Sequence, residues 1–274
     1  MKAGIIGGTG RMGRLFTPVF ERAGYETLVS GRTTALSAQD LAGTCDIVIV
    51  SVPIRETEKV IGEVAPLMEK EQLLCDFTSL KVAPVAAMLT SKAEVIGLHP
   101  MFGPSLSSIA GQTIVVCPAR ASEETVARLT GIFTREGAVC TRATPEEHDR
   151  MMAVVQGLTH FVTICMADAM RRSGCDIRAT EPYMSPVYQI ELGLVGRLLS
   201  QDGALYADIL EKNPYVPEVI DACRVAAENL SEIVKSGDPK AFEEFFTRNS
   251  RHLGSYCGRG QELTDRLIDC MVKR

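Results

Sequence analysis

The six residues Gly8-Thr9-Gly10-Arg11-Met12-Gly13 stand between a short apolar run, Ala3 to Ile6, and a segment with helical periodicity, and this placement limits the fold more than any other feature. Glycines at this spacing, after a strand and before a helix, suit the first turn of a βαβ unit that cradles a pyrophosphate. Gly8 is expected to make the tight turn and Gly10 to let the backbone approach the anion. Gly13 then lets the helix pack close to the strand, with its N-terminus toward the ligand. Thr9, Arg11 and Met12 complete the loop.

The surrounding pattern agrees with such a unit. Strands are expected at Ala3 to Ile6, Thr27 to Ser30, Ile47 to Val52, Leu73 to Phe77, Val95 to Leu98 and Thr113 to Val116, alternating with helical segments. That alternation is the signature of a parallel sheet covered on both faces. From about Thr144 the strands give way to long apolar periodic stretches. The expected fold class is therefore α/β, a Rossmann-type doubly wound, mostly parallel sheet in residues 1–145 followed by an all-helical domain in 146–274. The helix from Glu147 to Arg172 carries Met151, Met152, Val154, Val155, Leu158, Phe161, Val162, Ile164 and Met166, is apolar nearly all round, and is expected to be buried on several sides, as at a dimer interface. The stretch Asn213 to Pro217 reads as a loop between helices.

Composition excludes several classes of partner. A net charge of -5 with no basic run leaves no electrostatic footprint for nucleic acid. No stretch is expected to span a membrane, and the N-terminus enters a strand directly without signal-peptide architecture, so a cytoplasmic protein is expected. The nine cysteines are scattered and never form C-x-x-C; most are expected to be small buried apolar residues, with neither a metal site nor a disulfide framework.

The choice of dinucleotide rests on the end of the second strand, where NAD binding calls for an Asp or Glu to hold the ribose hydroxyls. The sequence there is Val29-Ser30-Gly31-Arg32-Thr33-Thr34. Ser30, Arg32 and the threonines offer hydroxyls and a guanidinium to a 2′-phosphate, and no carboxylate repels it. NADP is the expected cofactor, with NAD possible.

His99 ends the apolar run Val95 to Leu98 and so falls at the carboxyl edge of the sheet, where open α/β sheets carry out chemistry. Local sequence alone also allows a histidine that caps a turn before Pro100. Ser79 follows the fourth strand and reads either as a site residue or as the N-cap of a helix starting at Leu80-Lys81. Arg197 lies inside the apolar helix Pro186 to Gln201, where a buried guanidinium needs an anion, either a substrate carboxylate or an internal partner such as Glu191 or Asp202. His148 with Asp149 reads as ordering the start of the long helix.

The segment Gly97-Leu98-His99-Pro100-Met101-Phe102-Gly103-Pro104, with the glycine loop, resembles the prephenate dehydrogenase family of tyrosine biosynthesis. Further matching stretches are Ile49 to Ile54, Asp76 to Lys81, Glu147 to Asp149, Gln156 to Phe161, Val195 to Leu198, Gln201-Asp202 and Leu205 to Asp208, so the match covers nearly the whole chain. The resemblance implies a nucleotide-binding domain and a helical dimerisation domain, with the active site in the cleft between them and a homodimer as the assembly. It implies oxidative decarboxylation of prephenate to 4-hydroxyphenylpyruvate. In that reaction His99 is the catalytic histidine, Ser79 orients it, and Arg197, His160 and Gln201 bind substrate. Val52 and Pro53 join the cofactor surface. Many relatives carry an acid where this chain has Ser105, which puts gating and feedback inhibition by tyrosine in doubt. No chorismate mutase or regulatory domain is expected within the 274 residues. Arogenate, with an amine in place of the side-chain keto group, is the alternative substrate. A reductase of the deazaflavin-dependent kind shares the Gly7 to Gly10 loop and the Ser and Arg after the second strand, but would need neither His99 nor Arg197. A non-catalytic NADP sensor would keep the fold without that pair.

Overall fold

The computed structural model describes residues 1–272. The alternating first half builds one sheet from β1 (Lys2–Ile6), β2 (Glu26–Ser30), β3 (Ile47–Val50), β4 (Leu73–Asp76), β5 (Glu94–Pro100), β6 (Thr113–Arg120) and β7 (Val139–Arg142). The order across the sheet is β2-β1-β3-β4-β5-β6-β7. Strands β1 to β5 are mutually parallel, β6 runs antiparallel to β5, and β7 is parallel to β6. Because β2 and β3 flank β1 on opposite sides, the winding reverses at the carboxyl end of β1, the position where doubly wound sheets bind ligands.

The helices between strands are α1 (Arg11–Arg22), α2 (Ala38–Thr44), α3 (Ile54–Val64), α4 (Val82–Met88) and α5 (Glu123–Arg135). Alternation along the strands divides the core between the two faces of the sheet. Ile47, Ile49, Leu73, Cys75, Ile96 and Leu98 pack with Phe16 and Phe20 of α1 and Phe133 of α5. Val48, Val50, Leu74 and Val95 pack with Leu41, Ile61, Val85 and Met88 of α2 to α4. By the same alternation Asp76, Gly97 and His99 belong to the second face, which places them on the side of α4.

Two features of the sheet depart from the sequence reading. Strand β7 is a short edge strand with mostly exposed residues, so no buried alternation announces it. Strand β5 runs on through His99 to Pro100, and His99 pairs with Val115 of β6. His99 is therefore a strand residue rather than a turn residue, and it overhangs its other neighbour β4, whose pairing ends at Asp76 with Gly97.

The second half contains α6 (Pro145–Met152), a π-helical stretch (Ala153–Leu158), α7 (Thr159–Arg172), α8 (Ile177–Thr180), α9 (Pro186–Leu199), α10 (Gly203–Lys212), α11 (Val216–Ser236), α12 (Pro239–Leu253) and α13 (Tyr256–Val272). By compactness, one unit comprises Met1–Val155 with Ala204–Tyr215, and the other Gln156–Gly203 with the chain from Val216 onward. The sequence reading instead put the change at 145/146. In the first unit the segment carrying α10 is held by side chains that pattern alone does not pair. Arg55 of α3 donates to Asp208 (3.1 Å) and to the Ala204 carbonyl (3.0 Å), Ile209 packs with Ile54 and Leu80, and Asn213 donates to the Asp149 carbonyl at 2.8 Å.

The helical unit is less buried than its composition implies. No residue of α7 is buried. Val162, expected inside, is 45 % exposed in the single chain and Arg197 is exposed as well, and so, at the end of the first unit, are Met151, Val154 and Val155, expected inside but 60, 49 and 44 % exposed. The run Pro145–Arg172 is 28 residues long with a mean hydropathy of 1.3 over its best window, so by length and composition it does reach a membrane span, contrary to expectation. Its first turns, however, carry the buried pair His148 and Asp149. Among the cysteines only Cys45, Cys75 and Cys117 are buried, whereas Cys165, Cys175, Cys257 and Cys270 are exposed on helices and their connections.

Candidate active site

The glycine loop lies at the switch point of the sheet. The left-handed residue is Gly7, with φ of 82°, and Gly8 stands inside the turn that the Gly10 N–H closes on the Gly7 carbonyl at 2.9 Å. A Cβ on Gly8 would stand 2.6 Å from Val29 Cγ1 and one on Gly13 would stand 2.4 Å from Gly8 Cα, so strand and helix touch at bare backbone. The backbone N–H groups of Gly7 and Gly8 both donate to the Ser30 carbonyl, at 2.7 and 3.1 Å, which ties the loop to the end of β2. Met12 packs into the core, while Thr9, Gly10 and Arg11 are exposed at the N-terminus of α1. Val52 closes the other side of the loop, because a Cβ on Gly7 would meet its Cγ1 at 3.2 Å, and Pro53 occupies the N-cap of α3. A glycine cradle of this shape, open at a helix N-terminus, fits a dinucleotide pyrophosphate.

At the end of β2 the hydroxyls divide between roles. Thr34 is committed to the turn, bonded to the Gly31 backbone at 2.8 and 3.0 Å and to the Leu36 carbonyl at 2.9 Å. Arg32 and Thr33 are exposed beside it. The next acid, Asp40, is used by the capping box of α2 with Ser37.

The sheet edge near His99 holds a chain of hydrogen-bonded groups. His99 is buried, and its Nδ1 lies 2.8 Å from Nε2 of His148, on α6. Nδ1 of His148 lies 2.7 Å from Oδ1 of Asp149. Asp149 also accepts from the Lys81 N–H (2.8 Å) and the Val82 N–H (2.9 Å), so its carboxylate caps the start of α4. Lys81 occupies the N-cap position of α4, and Ser79, half-buried, is not its cap.

These contacts fix the protons. A carboxylate accepts only, so His148 Nδ1 carries hydrogen, and its Nε2 in the neutral ring is then an acceptor. His99 must donate from Nδ1, which leaves its Nε2 with the lone pair. Burial, then the neighbouring His148 and Lys81, hold His99 well below its ordinary pKa of 6.5. Burial likewise lowers His148, against the pull of Asp149. His99 is a neutral base of defined tautomer at neutral pH.

The sequence reading took His148 and Asp149 as a helix start, and in part they are, since Thr144 caps α6 with Glu147 in a capping box. Their link to His99 was not legible, because 49 residues separate the two histidines. The one available signal was two histidines and an acid in matching motifs. In the helical unit, Arg197 on α9 is exposed, so the expected cost of a buried guanidinium does not arise. Gln201 is exposed, with its Nε2 donating to the Arg197 carbonyl at 3.2 Å. His160 on α7 is half-buried, and burial lowers its pKa.

A doubly wound sheet with a glycine cradle at its switch point and a neutral buried histidine at the same edge has the layout of a dinucleotide-binding fold. Residues 27–142 match the family model for the prephenate dehydrogenase nucleotide-binding domain, and 144–248 that for the prephenate dehydrogenase dimerization domain. The chain belongs to the prephenate dehydrogenase family, whose members are NAD(P)-dependent oxidoreductases. It is 35 % identical over 256 residues to the T-protein of Enterobacter agglomerans, covering 93 % of this chain and 68 % of that one. It is 34 % identical over 283 residues to a probable arogenate/prephenate dehydrogenase of Methanocaldococcus jannaschii, covering 96 % of this chain and 64 % of that one. The chain thus spans about two thirds of the length of these curated relatives. In fold it is similar to prephenate dehydrogenase from A. aeolicus in complex with hydroxyphenyl propionate and NAD+, with a TM-score of 0.72 at 18 % identity over 92 % of this chain and 98 % of that one.

Proposed function

We propose that the chain catalyses oxidative decarboxylation of prephenate to 4-hydroxyphenylpyruvate with NADP, and NAD as the lesser cofactor, as a cytoplasmic homodimer. The observation that carries this reading is the hydrogen-bonded chain His99–His148–Asp149, which puts the lone pair of His99 on Nε2. When bound, the dinucleotide supplies a hydride acceptor. His99 accepts the ring hydroxyl proton as the C–H bond on the same carbon breaks. The C–C bond to the ring carboxylate then breaks, its electrons enter the ring, and the proton held on His99 returns to the oxygen as the phenol forms. Burial of His99 and His148 keeps water from competing for that proton.

Arg197, with His160 and Gln201, is assigned to the carboxylates and side chain of the substrate, and Ser79 to orienting His99. The exposed guanidinium of Arg197 suits a bidentate carboxylate partner. Gly8 to Gly13, Ser30, Arg32, Val52 and Pro53 are assigned to the cofactor. The exposed apolar residues of α7, α9 and α12, such as Val162, Leu194 and Phe246, form the surface assigned to a second copy, in keeping with the matched dimerization domain.

The test is NADPH formation on mixing the chain with prephenate, and separately with arogenate. No turnover of either overturns the reading, and faster turnover of arogenate transfers it to that substrate. His99→Asn is expected to lower kcat by about 10²-fold or more with little change in KM, and Arg197→Gln to raise KM. If both variants retained turnover, a reductase of the deazaflavin-dependent kind would be favoured instead.

A further inference from the structure

Lys81 is fully buried, yet the proton-acceptor role of His99 does not by itself require it. It touches both ends of the relay. Its backbone N–H donates to Asp149 Oδ1 at 2.8 Å, and its ammonium donates to the carbonyl of Leu98, the residue before His99, at 2.8 Å. The ammonium also pairs with Asp76, which accepts in turn from the Thr78 hydroxyl. The Lys81 stem crosses β5 at Gly97, where a Cβ would stand 2.9 Å from Lys81 Cδ and 2.8 Å from Val85 Cγ2. The strand that carries His99 is notched where the lysine passes.

We propose that Lys81 is a positioning residue that fixes the strand end bearing His99 against the His148 and Asp149 pair, and that Gly97 is the notch that admits it. The inference rests on His99 as the proton acceptor. A buried ion pair contributes little to stability, since an apolar pair of the same volume commonly does as well or better. Here the pair is also incompletely compensated, because Asp76 Oδ1 is buried with no hydrogen-bond partner among the described residues. What the pair provides is direction, with one ammonium aimed at Asp76 of β4 and at the Leu98 carbonyl of β5. The charged and titratable groups in the buried cluster with His99 include His148 and Asp149 of α6, Asp76 of β4 and Lys81. Cys117 of β6 lies in the same buried cluster, and burial pushes its thiol up to about 12, which keeps it neutral. Among these groups Lys81 and His148 disfavour a proton on His99, so Lys81 also keeps the base available.

The test compares Lys81→Met with Asp76→Leu in one chain, which leaves no buried charge unpaired, and Gly97→Ala, which displaces the lysine stem while keeping both charges. The full chain is assayed for kcat, KM and the acid limb of kcat/KM, and His99 is titrated by imidazole NMR in the absence of substrate. The expected result for the double variant is a kcat about 10-fold or more lower, KM within about 3-fold, and an acid limb and His99 titration both displaced from the parent's. A folded double variant with unchanged kcat and an unmoved His99 titration overturns the inference. If the double variant does not fold, Gly97→Ala decides: a lowered kcat at constant KM supports the inference, and an unchanged kcat overturns it. Retained activity in His99→Asn fails the parent reading, whereas an essential His99 with indifferent Lys81 and Gly97 variants fails this inference alone.

Discussion

Replacing His148 by Phe isolates what the relay contributes. His148 touches His99 and Asp149 and is buried, so the change is expected to leave substrate and cofactor binding intact. Without the Nε2 acceptor, a hydrogen on His99 Nδ1 loses the bond to His148 that fixes it there, at a cost of about 1–3 kcal/mol. The ring avoids that cost by moving the hydrogen to Nε2, the tautomer that cannot accept a proton from substrate. At about 1.4 kcal/mol per decade, the competent tautomer is depleted roughly 5- to 150-fold. The imidazolium formed during reaction also loses a charge-assisted bond of about 1.5–3 kcal/mol, so the combined loss in kcat is about 10²- to 10⁴-fold. The assay is steady-state NADPH formation at saturating substrates, with KM expected within about 3-fold of the parent. His148→Gln, whose side-chain oxygen can accept from His99 Nδ1, is expected to recover much of the loss. A His148→Phe chain that turned over within about 3-fold of the parent would refute the tautomer argument.

Three further outcomes are expected. Arg32→Ala should raise KM for NADP about 10- to 100-fold with a much smaller effect on NAD, the scale of one lost charge-assisted bond to phosphate, as steady-state kinetics with each cofactor will show. His99 and His148 both lie below 6.5 in the folded chain, so between their folded values and 6.5 the unfolded chain binds more protons. Their contribution to stability is complete above pH 6.5 and is lost as pH falls through the folded values, and thermal melts against pH should show a shallower decline when both are replaced by Gln. Leu194→Asp, at a position 57 % exposed in the single chain, should shift the chain from dimer to monomer in sedimentation, while secondary structure by circular dichroism is retained.

The parts of this protein that could be read from sequence are those governed by local periodicity. The unbroken apolar runs Ile47 to Val50 and Leu73 to Cys75 mark strands wherever the chain goes, because both faces of a parallel strand are covered. The loop from Gly8 to Gly13 is local for the same reason, whereas the need for glycine at the preceding, left-handed Gly7 also comes from Ser51 and Val52 of the neighbouring strand connection, which leave no room there for a Cβ. Strand β7 was illegible because its pairing with β6, rather than its own pattern, makes it a strand. Asp208 stood within a matched motif, yet its partner Arg55 is 153 residues away.

The sequence by itself determined strands β1 to β6, the glycine turn and the place of His99 at the carboxyl edge, because these follow from short-range patterns of apolar, glycine and polar residues. Only the tertiary structure decided which nitrogen of His99 is the base. Hydrogen position in an imidazole is set by the partner of its other nitrogen, and that partner, His148, comes from α6, in turn oriented by an acid that caps α4. The burial that keeps both rings neutral likewise exists only once β4, β5, α4 and α6 have closed around them.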